Sequence, residues 1–187
     1  MSAFGGGISF GKGVSADEAS ALALAAMHKE IGFAVYRDTT HTALAPLVVP
    51  ANTPTVLPNN GGFKVESQLP SDGTTFYTPS TQRIRGTLFS DIHITSEFLV
   101  NSIDANASYI NLDFDTGPDG APNFVGHYQR AIPWGVGVKS PLSIALWGYV
   151  GASMIANGAK MWVTTDGAVE LSGIALWIRR THKGIVS

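Results

Sequence analysis

Charge is scarce in this chain. Lys, Arg, Asp and Glu make up 14% of its residues, against roughly a quarter in an ordinary soluble domain. A surface so poor in charge is adhesive in a lone monomer, because interspersed charge keeps surfaces apart. The shortage therefore predicts that much of the surface is covered by other copies or by a larger assembly. Cysteine is absent altogether, which excludes a disulfide framework, a zinc–thiolate site and a thiol nucleophile. There is no basic excess either: the formal charge is −2, and a nucleic-acid partner, which needs a basic face to displace counterions, is not expected. No apolar run approaches the roughly 20 residues of a membrane-spanning helix, so no membrane partner is expected. Met1–Gly5 lack the basic start and apolar stretch of a secretory signal, which predicts a soluble protein made in a cytoplasm.

What is present reads as a folded β protein. The chain is 44% hydrophobic, too apolar for a disordered segment, and Thr, Ser, Asn and Gly fill its polar positions. Its 187 residues suit one domain with a core and an appendage. The appendage is residues 1–31. Residues 1–14 are a glycine-rich arm carrying isolated Phe4, Ile8 and Phe10, which cannot build a core and are interface candidates once a partner orders them. Ser15 followed by Glu18 is a capping-box pattern that predicts one short helix running to Lys29.

From residue 32 to 187 the pattern becomes short strands broken by turn residues. Segments 31–37, 46–49 and 55–57 read as strands, the latter two held apart by prolines, and Asn59–Gly62 as a turn. Ile92, Ile94, Phe98 and Val100 alternate with polar residues, as do Ile110, Leu112 and Phe114; these are half-buried strands. Segments 142–150, 161–163 and 169–178 are apolar on both faces, as in a sandwich interior or a subunit interface. Turns at 117–122, Asn157-Gly158 and Asp166-Gly167 divide them at the spacing of an all-β sandwich.

Chemical motifs are weak. Gly6–Lys12 fits the start of a phosphate-binding loop, but Gly13 stands where Ser or Thr must hold magnesium, and no strand precedes it. The five histidines are scattered, with no H-x-H or HExxH, and no G-x-S-x-G elbow occurs. No catalytic residues and no cofactor are expected. Asp113, Asp115 and Asp119 fall at intervals that a calcium loop uses, without its closing Glu; an acidic solvated turn is the competing reading. Trp134, Trp147, Trp162 and Trp177 could stack on sugars, yet their place in apolar strands favours packing, with Trp147 and Trp177 as interface candidates.

The stretch Tyr36–Thr40 leading into Pro46–Gly61, with its PLVVPANTPTVLPNNG run, resembles the opening strands of small phage virion proteins with a TNF-like jelly roll. Phe76–Ile84 is similar to a corner of the same family, and Gly167–Arg179 to the closing strand of TNF/C1q-like folds. The resemblance spans about residues 35–180. It implies an all-β, TNF-like jelly-roll sandwich, preceded by the arm and helix, that forms a homotrimer on a phage head or tail. The function it implies is a capsid decoration (cement) protein in the virion, partnered by the major capsid protein or other virion proteins. The alternative is the receptor- or carbohydrate-binding head of a tail or fibre.

Overall fold

In the computed structural model, residues 31–70 and 74–182 are described, together with Asp17 and Ser20, which are helical. The glycine-rich arm with Phe4, Ile8 and Phe10, and the rest of the helix expected up to Lys29, lie outside the described residues.

Twelve strands follow: β1 (Gly32–Arg37), β2 (Leu47–Val49), β3 (Thr55–Val56), β4 (Phe63–Gln68), β5 (Tyr77–Thr78), β6 (Arg83–Ile84), β7 (Asp91–Ser102), β8 (Tyr109–Asp115), β9 (Phe124–Ala131), β10 (Lys139–Tyr149), β11 (Lys160–Thr165) and β12 (Val169–His182). One short helix, α1 (Ala152–Asn157), joins β10 to β11 and buries Met154. Six strands form one sheet in the order β10-β7-β12-β1-β4, with β2 added to β12; four form the second, β3-β11-β8-β9; β5 and β6 make a separate hairpin.

Every pairing is antiparallel, and the pairings are nested. β8 pairs with β9, β7 with β10, β3 with β11, and β1 and β2 with β12. A ribbon folded on itself in this way and split between two sheets is a jelly roll.

The alternation seen in the sequence sets the facing. Ile92, Ile94, Phe98 and Val100 of β7 and Ile110, Leu112 and Phe114 of β8 are buried between the sheets, joined by Ile144, Leu171, Leu176 and Ile178. The strand at 169–178 extends to His182, so Arg180 enters the core, fully buried, and donates to Thr87 Oγ1 at 2.8 Å.

A bulge interrupts β12. Ser172 is opposite Leu99, but Ala175 is opposite Glu97, so β12 spends three steps where β7 spends two. Gly173 absorbs the extra residue at φ +63°, a conformation that side chains with a Cβ resist. Ser172 shares the outer face with Ala175, and Gly173 lies between them as the extra residue.

Candidate interaction surface

On the outer side of the four-stranded sheet, Asn111 opposes Gln129 and Asp113 opposes His127 across β8 and β9. Trp162 of β11 stands there opposite Asp113, with the exposed Phe124 ring edge-on to it at 6.4 Å. On the six-stranded sheet, the outward positions include Val48, Phe63, Val65, Leu99, Trp147 and Tyr149, all exposed; Trp147 is 65% and Tyr149 60% open to solvent. Phe63 and Val65 stand at one edge of this sheet, on β4, and Trp147 and Tyr149 at the other, on β10, although antiparallel strands leave such outward positions free to be polar.

The side chains of this face are organised. Trp147 lies directly opposite His93 across the β10–β7 ladder, and the two rings stack at 4.4 Å with 21° between planes. Trp177 sits in the middle of the sheet, half-buried, 5.9 Å from the Phe33 ring and 5.8 Å beneath the Arg37 guanidinium. Its indole N–H donates to Glu97 Oε2 at 3.0 Å. Phe33, His93, Thr95, Glu97, Trp177 and Arg179 bound a shallow depression of about 270 Å³. A second open depression, of about 510 Å³, lies at the bulge between Leu99, Pro141, Leu142, Ser143 and Gly173. Both expected tryptophans therefore lie on one face. Trp177 is only half-buried in the protomer, not enclosed in the core.

The three carboxylates Asp113, Asp115 and Asp119 each have partners of their own. Asp113 meets His127 Nδ1 at 2.5 Å on the outer face. Asp115 turns inward and accepts from Gly117 N (2.8 Å), Asn123 N (2.6 Å) and Trp162 Nε1 (3.2 Å). Asp119 receives Arg83 Nη2 at 2.9 Å and a close contact from Lys160 Nζ. Lys160 first and Arg83 next hold its carboxyl below the ordinary Asp value. Each acid has its own donor, and among the described residues no three His, Asp or Glu side chains gather as a metal site. These contacts brace the 116–123 turn against β6 and β11.

A polar corner closes the other side of the molecule. Asp38 is buried and accepts from His41 N (2.7 Å), His41 Nδ1 (2.8 Å) and Asn60 N (3.1 Å). Burial alone would raise its pKa, but these donors outweigh it and leave the carboxyl below its ordinary value. Nearby, Tyr36 donates to Glu66 Oε1 at 2.7 Å, and Tyr77 to Gln82 Oε1 at 2.6 Å and the Asn59 carbonyl at 2.9 Å. Burial is the main cause that pushes both phenols well above the ordinary tyrosine value. They remain neutral donors, and the corner is structural in character.

Sequence reasoning missed Phe63, Val65, Leu99 and His93 as surface participants. The alternation of Phe63 and Val65 with charged Lys64 and Glu66 was the available signal for β4.

No family model and no curated protein sequence matches the chain. Among solved structures it is similar to Eiger TNF from S. frugiperda (8% identity, 84% of this chain and 96% of that one, TM-score 0.49). It is also similar to the PRD1 vertex protein P5 (15%, 83% and 98%, 0.47) and to murine APRIL (13%, 79% and 98%, 0.43). The class of the protein, an all-β jelly-roll sandwich, is set by its own nested strand pairing.

Proposed function

We propose that this chain is a structural component of a bacteriophage virion: a homotrimer that decorates the head and cements neighbouring capsid subunits. The observation that carries the reading is the set of large apolar side chains left open on the outer face of the six-stranded sheet, Phe63, Leu99, Trp147 and Tyr149. Paired with a chain of 14% charge, such a face is suited to burial against copies of itself. The phage-like strand and corner segments at 36–61 and 76–84 supply the virion context. Work of this kind is binding, in which several weak attachments made at once hold firmly. Light scattering on the purified full chain tests the trimer, and co-sedimentation with heads lacking the protein tests decoration. A stable monomer at micromolar concentration, or no co-sedimentation, would overturn the respective half.

A second reading, a carbohydrate-binding head of a tail or fibre, is favoured by the depression where Trp177, Glu97 and Arg179 combine an aromatic platform with charged hydrogen-bonding groups. Glycan-array binding that Trp177→Ala abolishes would favour it. The two readings compete for one face.

A further inference from the structure

Leu44 is 98% exposed, yet it stands on a fixed turn. Ala45 N donates to the Thr42 carbonyl at 3.2 Å, and Leu44 N to Thr42 Oγ1 at 3.3 Å. The turn is tied down on one side by the Asp38–His41–Asn60 contacts described above. On the other, His41 is fastened to the β12 bulge, where Gly173 N donates to the His41 carbonyl at 3.0 Å. A single exposed leucine needs no explanation by itself. A projecting leucine whose backbone is already ordered is different, because docking it costs little further entropy.

The same chain carries a receptacle at the same level. The 510 Å³ depression owes its room to the bulge: Gly173 has no side chain, and nothing lies within 4 Å of where a Cβ would stand. Leu99, Pro141 and Leu142 make its walls mostly carbon. The chain from residue 38 to 46 bridges the end of β1 pairing, at Ala175, and the start of β2 pairing, at Leu171. The Leu44 turn therefore flanks β12 at residues 172–174 on the β1 side. The depression flanks the same residues on the β7 and β10 side. From the turn across β12 and β7 to β10 is three strand spacings, about 14 Å. Knob and receptacle thus share a height along the strands and lie on opposite lateral sides of β12.

We infer that Leu44 of one protomer seats in the Leu99–Pro141–Leu142 depression of the next, forming the head-to-tail contact of the ring. Seated in one direction around the assembly, such a knob and receptacle make a heterologous contact that generates a ring when the rotation closes. Reciprocal seating would give a two-fold dimer instead, which light scattering would show and which would overturn the ring. This inference rests on the trimer reading and specifies the residues that would close it.

The test exploits the absence of native cysteine. Leu44→Cys and Ser143→Cys chains, differently tagged and co-expressed, are treated with a short bismaleimide. Both positions are exposed in the protomer, so the fold is not disturbed, and with one thiol per chain every cross-link is intermolecular. The expected product joins Leu44→Cys to Ser143→Cys in preference to either homotypic pair. A dominant Leu44→Cys homodimer, or no mixed product, overturns the inference. In parallel, Leu44→Ser in the full chain is expected to weaken association by at least about tenfold, with an unchanged monomer melt. If wild type is a trimer and Leu44→Ser associates equally well, the knob contact is refuted while the trimer stands. Loss of head attachment with intact association would likewise refute it, and would reassign Leu44 to a capsid partner. If wild type is monomeric, the trimer reading itself fails.

Discussion

The imidazole of His93 and the indole of Trp147 are stacked face to face across the β7–β10 ladder, 4.4 Å apart, although the indole is still 65% open to solvent. One face of the indole is fixed by the protomer, and the other is available. β10 is the edge strand of its sheet, and a pre-positioned tryptophan left open there has the ordered aromatic character of a binding hot spot. Trp147→Ala is therefore expected to cost association about 2 kcal/mol or more while lowering the stability of the isolated fold little. Sedimentation across a dilution series, beside a urea melt of the dissociated chain, separates the two effects.

Trp177 should behave differently, because its contacts lie within the protomer. Full burial would make its removal worth about 3–5 kcal/mol. Half-buried against Phe33 and beneath Arg37, it is expected to cost about 2 kcal/mol as Trp177→Ala. Trp177→Phe keeps the ring but removes the donor to Glu97, a loss of about 1 kcal/mol. Urea denaturation midpoints at constant slope would check the order of the two variants.

Gly173→Ala tests the bulge. No atom obstructs the added methyl, so its cost is that of holding an L-residue at φ +63°, about 1–2 kcal/mol. A neutral substitution would mean that the left-handed conformation at this position is not maintained in solution.

Stability should depend on pH in one direction through the carboxylates. Asp38, Glu66 and Asp166 all have folded-state pKa values below their ordinary ones, burial opposing and hydrogen-bond donors prevailing. A depressed carboxyl contributes stability that is fully present above its unfolded value and is lost as pH falls through the folded one. Melting temperature is thus expected to hold level above about pH 5 and to drop below the ordinary Asp value of 3.8. Asp38→Asn should start lower and show a shallower acid slope; an unchanged slope would contradict the corner geometry.

Removal of residues 1–14 should leave the melting curve of the sandwich intact and abolish attachment to heads. The arm carries Gly5, Gly6, Gly7, Gly11 and Gly13 with only Phe4, Ile8 and Phe10 as apolar anchors, which contributes little to a core. Normal decoration by the truncated chain would refute the anchoring role.

The central strands were legible in the sequence because one of their faces is buried and the other is not. β7 and β8 could be placed from Ile92–Val100 and Ile110–Phe114 alone. β4 and β9 were not recognised, for a shared reason. Both are sheet edges with few buried residues, and Phe63–Gln68 and Phe124–Ala131 are exposed along most of their length. The six-residue α1 buries only Met154, too little for a periodic signal. The bulge at Gly173 was hidden because β12 is apolar on both sides there, so an extra residue leaves the pattern unbroken. Of the surface, Trp147 and Trp177 could be singled out from their strands. Leu44 and the receptacle could not, since they depend on where a turn and a bulge meet in space.

The nested pairing of the strands also sets an order of events during synthesis. β8 and β9 are neighbours in the chain and can pair as soon as both exist, whereas β12 must find β1, more than a hundred residues earlier, and such distant closures are slow. Yet β12 occupies the middle of its sheet, between β7 and β1. Until it is inserted, the β10–β7 pair, the β1–β4 pair and the lone β2 stand apart with unpaired strand edges, and the outer face lacks Gly173, Ala175 and Trp177. The surface through which copies would recognise one another comes into being only with the last strand, so a half-made chain has no finished face to offer a neighbour.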